Sequence, residues 1–486
     1  MTASLLDSQA IPARVEARKA APVQIMMSPY YGRPDFSGLV GQGAPARTID
    51  PVAVADVLRN AFVYPPNSIF EDVKLVTFGF CPSEDMRRSP KFHFKFRDSG
   101  KRGQTLEQQD WVGIYHRLLC EAVADSTRCA RQPWLLQSGG KDSTTLAIAA
   151  ADARPDTICM TYLGGREENE VESAAFVART LGLKHETLVC DPARAYDRYL
   201  AIADRMPLLT ADFALLSYVD LATEIAGQGG DGVLDGLGAD SYFGMPVSRQ
   251  QRLLKWLAKS VRLPPGVSTL PLLDRSFAAS FLLGTLQMSK IERVFPGSRF
   301  TDAEVDEMFG KRVSDRSRAR LQPFLREIAS AASEDEWRDM SASIAGSAGA
   351  FAKGLYTCAA LGLRAVYPFT DVRFREWVYR EVPPHMMIDP VTKSNKILVR
   401  DHIATRFPDL PYVKTKGSFR FDVRGLAKSR IDTVHDFAAQ ARDILPGATT
   451  WLDRNRKSLD NKYHASKFYL LAVVLPWIQL HRTRSA

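Results

Sequence analysis

Leu135-Leu136-Gln137-Ser138-Gly139-Gly140-Lys141-Asp142-Ser143-Thr144 is the stretch on which the fold turns. A short apolar run, Trp134-Leu135-Leu136, stops at Ser138-Gly139-Gly140, and an Ala-rich helical pattern then runs from Asp142 to Ala153. Two glycines permit a tight turn between strand and helix. Such a turn aims successive backbone N–H groups into one concavity, at the positive end of the helix dipole. Phosphate is the expected occupant. Ser138, Ser143 and Thr144 add hydroxyl donors, Lys141 adds a cation, and Asp142 offers a hard oxygen for Mg²⁺. Leu136, Gly139 and Gly140 complete the expected phosphate-binding set. The spacing is not that of G-x-x-x-x-G-K-[ST], so this is not the Walker loop.

Outward from this loop the pattern alternates. A strand is expected at Thr157–Leu163, a helix at Glu170–Leu181 and a strand near His185–Val189. A helix at Ala211–Ala226 and a buried strand at Gly232-Val233-Leu234 follow. Alternation at this spacing predicts βαβ units and a parallel sheet flanked by helices, an α/β fold. Beyond Met245 strand signals fade and amphipathic helical segments dominate. On the N-terminal side, Asp50-Pro51 reads as an N-cap and first turn, with β-like stretches at Val73–Phe80 and Lys91–Phe96 and a helix at Gln109–Ser126. The expected organisation is a poorly patterned extension at 1–49, a small α/β region at 50–110, and a large domain at 111–486. That domain divides into a nucleotide-binding α/β part (111–245) and a mainly helical part (246–486) that completes the site.

Whole-chain properties narrow the classes. At 486 residues the chain is too long for one simple core. The net charge of +9 suits a polyanionic partner such as ATP, and equally an Arg-rich proteome. Six scattered cysteines with no C-x-x-C pair argue against a zinc finger, an iron–sulfur cluster or a disulfide framework. A cytoplasmic location is therefore expected, with no secretory signal. The longest apolar run, Phe468 to Ile478, is too short to span a bilayer and contains Pro476, so a buried helix and no membrane partner are expected.

A second segment sharpens the reading. Leu234-Asp235-Gly236-Leu237-Gly238-Ala239-Asp240-Ser241-Tyr242-Phe243-Gly244 is again a buried strand that ends in glycines, followed by a carboxylate. The first loop resembles the S-G-G-x-D-S loop of the ATP pyrophosphatases, and the second resembles S-G-E-G-A-D-E-L-F-G of the asparagine synthetase and β-lactam synthetase family. Asn169-Glu170 with Ala178 and Leu181-Gly182, Tyr367-Pro368-Phe369-Thr370-Asp371, Lys396-Ile397-Leu398-Val399-Arg400 and Lys414-Thr415-Lys416-Gly417-Ser418-Phe419 extend the likeness. It covers residues 50–486. The resemblance implies an adenine nucleotide α-hydrolase-like fold of the HUP type and a reaction in two steps, with ATP and Mg²⁺ required. A carboxylate is adenylated with loss of pyrophosphate, and an amine or ammonia then displaces AMP. It further implies Asp142 and Asp240 as Mg²⁺ ligands, Gly236 and Gly238 on the pyrophosphate, and Lys416, Asp371 and Lys396 as catalytic residues.

Two departures qualify what the resemblance implies. The chain starts Met1-Thr2-Ala3, with no cysteine to serve as a glutaminase nucleophile, so it is not expected to hydrolyse glutamine by itself. The position of the family's catalytic Glu, or of Tyr in β-lactam synthetases, is Leu237, which can neither take nor hold a proton. Asparagine is therefore not the expected product. Either the amine arrives deprotonated, or another carboxylate, Asp371 or Glu172, acts as base. Two subtypes stay open: a macrolactam synthetase like those of lasso peptides, and a sugar-acid amidotransferase. The partners would be a small-molecule or peptide carboxylate and an amine, with a separate glutaminase, protease or precursor peptide as further candidates. A tRNA-modifying pyrophosphatase and a nucleotide-binding pseudoenzyme are the competing classes. Nucleic acid is the less expected partner, because no RNA-binding module or sulfur-handling cysteine pair is visible.

Overall fold

Asp50 caps the first helix, α1 (Pro51–Asn60), as its sequence requires: the carboxylate accepts the Val52 N–H at 2.9 Å and Pro51 fills the first turn. The computed structural model describes residues 20–27, 33–41, 43–92, 110–164, 168–243, 261–264, 276–295, 297, 299–331, 334–392, 394–410 and 421–483. The described residues between 20 and 49 are not the loose arm expected. Strand β1 (Val23–Met26) pairs in parallel with β2 (Val73–Val76), and Phe36 and Leu39 are buried. A four-residue strand whose partner lies far along the chain leaves no local turn signal, which is why the pattern hid it. A short antiparallel pair, β3 (Phe80–Cys81) and β4 (Lys91–Phe92), follows, and α2 (Trp111–Thr127) starts on the Asp110 cap.

The chain then builds a five-stranded, all-parallel sheet. Its strands are β5 (Pro133–Leu136), β6 (Ile158–Leu163), β7 (Lys184–Val189), β8 (Gly232–Leu234) and β9 (Arg364–Val366), in the order β7-β6-β5-β8-β9. The helices α3 (Lys141–Ala153), α4 (Glu168–Thr180), α5 (Pro192–Leu200) and α6 (Leu215–Gly227) lie between these strands in sequence, as the alternation required. Strand β9 lies beyond Met245, where strand signals fade and helices dominate. Gly362, at φ 71°, ends the helix Phe351–Leu361, and three residues then add an edge to β8. A three-residue edge strand carries no periodicity of its own.

The strand order places a reversal between β5 and β8. From β5 the chain winds outward through β6 and β7, then returns to the other side of β5 with β8. Open parallel sheets bind ligands in the crevice at such a switch point, beyond the strands' carboxyl ends. Both glycine-rich segments emerge there.

Two large cores hold this frame. Leu119 of α2, Leu146 of α3 and Leu398 of the helix Ile397–Ala404 pack with Leu135 and Leu234 of the sheet. In the other, Phe468 to Ile478 are buried within the C-terminal helix Lys462–Thr483, against α1, α5 and α6, with Pro476 inside the helix. Among the described residues, no helix is long and apolar enough to cross a membrane.

Candidate active site

Gln137 to Gly140 join β5 to α3 in a turn closed by its own hydroxyls. Ser143 Oγ donates to Ser138 O at 2.8 Å and accepts the Ser138 N–H at 3.1 Å. Ser138 Oγ accepts the Gly140 N–H at 3.2 Å, and Thr144 Oγ1 donates to Gly140 O at 2.8 Å. All three hydroxyl side chains read from the sequence as phosphate donors thus shape the loop. Gly140 is the N-cap and makes no side-chain cap hydrogen bond, and the first turn of α3 presents the positive end of the helix dipole. Lys141 and Asp142 occupy the first turn of α3.

The second segment leaves β8 beside it. A Cβ on Gly236 would lie 3.3 Å from both C and Cβ of Asp142, so the two loops touch through a glycine. Gly238 adopts φ 112°, and a Cβ there would meet Phe369 Cβ at 3.1 Å. Asp240 lies in the first turn of the short helix α7 (Ala239–Phe243).

Lys396 joins the loops. Its Nζ lies 2.6 Å from Oδ1 and 2.6 Å from Oδ2 of Asp142, and 2.5 Å from Oδ1 of Asp240. Its side chain is 4% exposed. Burial alone would lower the pKa of this amine, but Asp142 and then Asp240 outweigh it and raise the value above that of a free lysine. The ammonium is held charged between two carboxylates. Lys396 itself takes a left-handed backbone, φ 61°, as N-cap of the helix Ile397–Ala404. A non-glycine residue in that region is strained, and such strain gathers at functional sites.

The Mg²⁺ that the resemblance implies fits this donor set. Asp142 and Asp240 converge on one cation, and both offer hard oxygens. Among the described residues, no group of three or more His, Cys, Asp or Glu side chains could hold a metal. A pair of carboxylates with phosphate and water completing the shell is the usual arrangement for Mg²⁺ on a nucleotide, rather than a cage made only of protein.

Other expected residues are placed differently. Asp371 caps the helix Val372–Arg380, accepting the Phe374 N–H at 3.1 Å, and lies 3.6 Å from Arg373 Nε. It lines a cleft shared with Gly238 rather than meeting Lys396. Glu172 is exposed on α4. Gly182, at φ 73°, ends α4, so Leu181-Gly182 serves as a helix stop. Lys416 and the loop around it lie outside the described residues.

Sequence reading missed Asp235. It follows β8 directly, is buried, and accepts the Leu237 N–H at 3.1 Å through Oδ1. Its Oδ2 is buried with no hydrogen-bond partner. Desolvation raises its pKa, partly offset by Lys353. An acid directly after an apolar Gly-Val-Leu strand is the signal that would have found it. The chain from Tyr115 through Thr145 and His402 to His116 was also missed: Tyr115 Oη to Thr145 Oγ1 is 3.2 Å, Thr145 Oγ1 to His402 Nδ1 is 2.6 Å, and His402 Nε2 to His116 Nδ1 is 2.9 Å. It ties α2, α3 and the helix that Lys396 caps into one frame.

A parallel sheet with an anion-binding turn and two carboxylates at its switch point defines a nucleotide-binding domain of the adenine nucleotide α-hydrolase-like class. A family model described as asparagine synthase matches residues 115–453. The chain belongs to that family, whose members are ATP-dependent amide-forming ligases. No curated protein matches the chain.

Proposed function

We propose that this protein adenylates a substrate carboxylate at the crevice between β5 and β8 and then joins the acyl group to an amine. The observation that carries the reading is the convergence of Asp142 and Asp240 on Lys396 Nζ beside the turn at Ser138–Gly140. The first turn of α3 binds the phosphates at the positive end of the helix dipole. A carboxylate oxygen of the substrate attacks the α-phosphorus, the bond to the β-phosphate oxygen breaks, and pyrophosphate leaves. Mg²⁺, held by Asp142 and Asp240, would neutralise charge on that leaving group. In the second step the amine nitrogen attacks the acyl carbon, the carbon–oxygen bond to AMP breaks, and the amine's extra proton passes to a base or to solvent.

Leu237 stands where a base is expected from the family resemblance, so asparagine is not the proposed product. Lys416 is proposed to stabilise the transition state of the amide-forming step. The six free thiols suit a reducing cytoplasm.

Mg²⁺-dependent ATP–pyrophosphate exchange, run against separate pools of aspartate and glutamate, sugar acids, and Asp- or Glu-containing peptides, tests the reading. Exchange that depends on one pool is expected and identifies the acid. ATP binding without exchange in any pool would overturn it.

A further inference from the structure

Beside the nucleotide crevice, a cleft of 530 Å³ runs along the outer edge of β9. Gly238 and Asp371 bound it near the second loop, and Arg33 and Arg364 also line it. Arg364 opens β9 and pairs in register with Gly232, the first residue of β8, which itself pairs with Pro133 at the start of β5. Arg364 therefore marks the end of the cleft level with the strand starts, whereas Gly238 lies past the strand ends. At about 3.3 Å per strand residue, these ends are roughly 10 Å apart.

The charges in the cleft are not balanced alike. Four arginines and two aspartates line it. Arg373 is engaged, with Nη2 2.6 Å from Asp125 and Nε 3.6 Å from Asp371. The Arg375 guanidinium packs over the Phe78 ring at 4.7 Å. Arg33 and Arg364 face no such partner: among the described residues, neither makes an ion pair or a side-chain hydrogen bond. Arg33 is exposed at the cleft, and partial desolvation and then the Arg364 guanidinium, which lines the same cleft, make it less basic. Two like charges held together in a cleft are relieved by a bound anion.

The geometry points to a subsite for the amine substrate of the proposed ligase, with its amino end toward Asp371 and a remote anionic group, carboxylate or phosphate, between Arg33 and Arg364. The inference rests on the amide-forming reading. It names the amine as an elongated molecule with an amino group at one end and an anionic group at the other, rather than free ammonia.

Triglycine spans roughly 10 Å when extended, and serves as the probe with triglycinamide and 6-aminohexyl phosphate. Binding to the full chain is read by calorimetry, in the presence of a non-hydrolysable ATP analogue. Triglycine or 6-aminohexyl phosphate is expected to bind at least tenfold more tightly than triglycinamide. Preference for one of the two anions tells which group the arginines take. Arg33→Gln and Arg364→Gln, checked for folding by thermal denaturation, should each remove that preference. Equal binding of triglycine, 6-aminohexyl phosphate and triglycinamide, no binding of any of them, or preference unchanged in both variants would overturn the subsite. ATP–pyrophosphate exchange by the unmodified protein needs no amine, so it tests the ligase reading separately. Exchange without probe discrimination removes the subsite alone, and discrimination without exchange removes the reaction alone.

Discussion

Lys396 Nζ sits 2.6 Å from both oxygens of Asp142, which makes a lysine from the helical half the partner of the carboxylate that opens α3. Asp240 approaches the same ammonium at 2.5 Å. Three segments far apart in sequence meet at one charge.

Removing the lysine leaves the carboxylates facing each other, within about 5 Å by the contacts they now share, and like charges so placed repel. Lys396→Met should lose about 1–2 kcal/mol of stability, less than a fully buried pair because Asp240 is partly exposed. Millimolar Mg²⁺ should restore more of that loss than it adds to the unmodified protein, because the cation then does the work of the ammonium. Thermal denaturation with and without Mg²⁺ measures both quantities. An equal Mg²⁺ effect in the two proteins would remove Asp142 and Asp240 as metal ligands.

Asp142→Asn and Asp240→Asn keep side-chain volume and leave Lys396 one carboxylate each. Folding should survive in both. Carboxylate-dependent pyrophosphate exchange should fall by roughly 100-fold or more, the scale on which a single electrostatic stabiliser acts. Full exchange in either variant would sink the assignment of that residue.

The two loop glycines should respond differently. Gly238→Ala forces a side chain into φ 112° and 3.1 Å from Phe369 Cβ, so a stability loss of about 1–3 kcal/mol is expected. Gly236→Ala presses on Asp142 at 3.3 Å in ordinary backbone space, so its effect should fall on turnover more than on stability. Urea denaturation beside exchange rates separates the two, and matched losses in both variants would contradict the packing argument.

Much of this was legible in sequence because the nucleotide half is built from local signals. Asp50-Pro51, the apolar run ending at Gly139-Gly140 and the strand Gly232–Leu234 each announce their own boundaries. Strands β1 and β9 did not, since short segments paired to distant partners have no period to read. The site divides in the same way. Asp142 and Asp240 were found as motif residues, but only the fold shows that Lys396 lies between them, or that Asp371 is a helix cap.

Lys416 carries the amide-forming step in the proposed mechanism. Lys416→Ala should bind ATP as before, retain exchange, and lose product formation by roughly 100-fold. Calorimetry with ATP and a product assay check the two halves, and unchanged product formation would take Lys416 off the catalytic set.

His402 gives the native state a dependence on pH whose sign follows from its partners. Burial, then His116 and Arg406, push its pKa down from 6.5 to about 3. The hydrogen bonds run one way when the ring is neutral. Tyr115 donates to Thr145, Thr145 to His402 Nδ1, His402 Nε2–H to His116 Nδ1, and His116 Nε2–H points to Asp152 at 3.1 Å. A second proton on His402 would face the Thr145 hydroxyl hydrogen and break the chain. The unfolded state binds that proton near pH 6.5 and the native state does not, so stability falls as pH drops from 6.5 toward 3, by up to about 1.4 kcal/mol per pH unit. Glutamine offers one donor and one acceptor in place of the neutral ring and does not titrate. The stability advantage of the unmodified protein over His402→Gln should therefore shrink steadily below pH 6.5, as read from urea midpoints between pH 7.5 and 4.5. Titrating groups remote from His402, Asp56 with its pKa raised to about 6 among them, are common to both proteins and cancel in the difference. Parallel curves would mean that His402 takes up its proton in the folded protein as readily as in the unfolded chain, and the one-way chain of hydrogen bonds would be wrong.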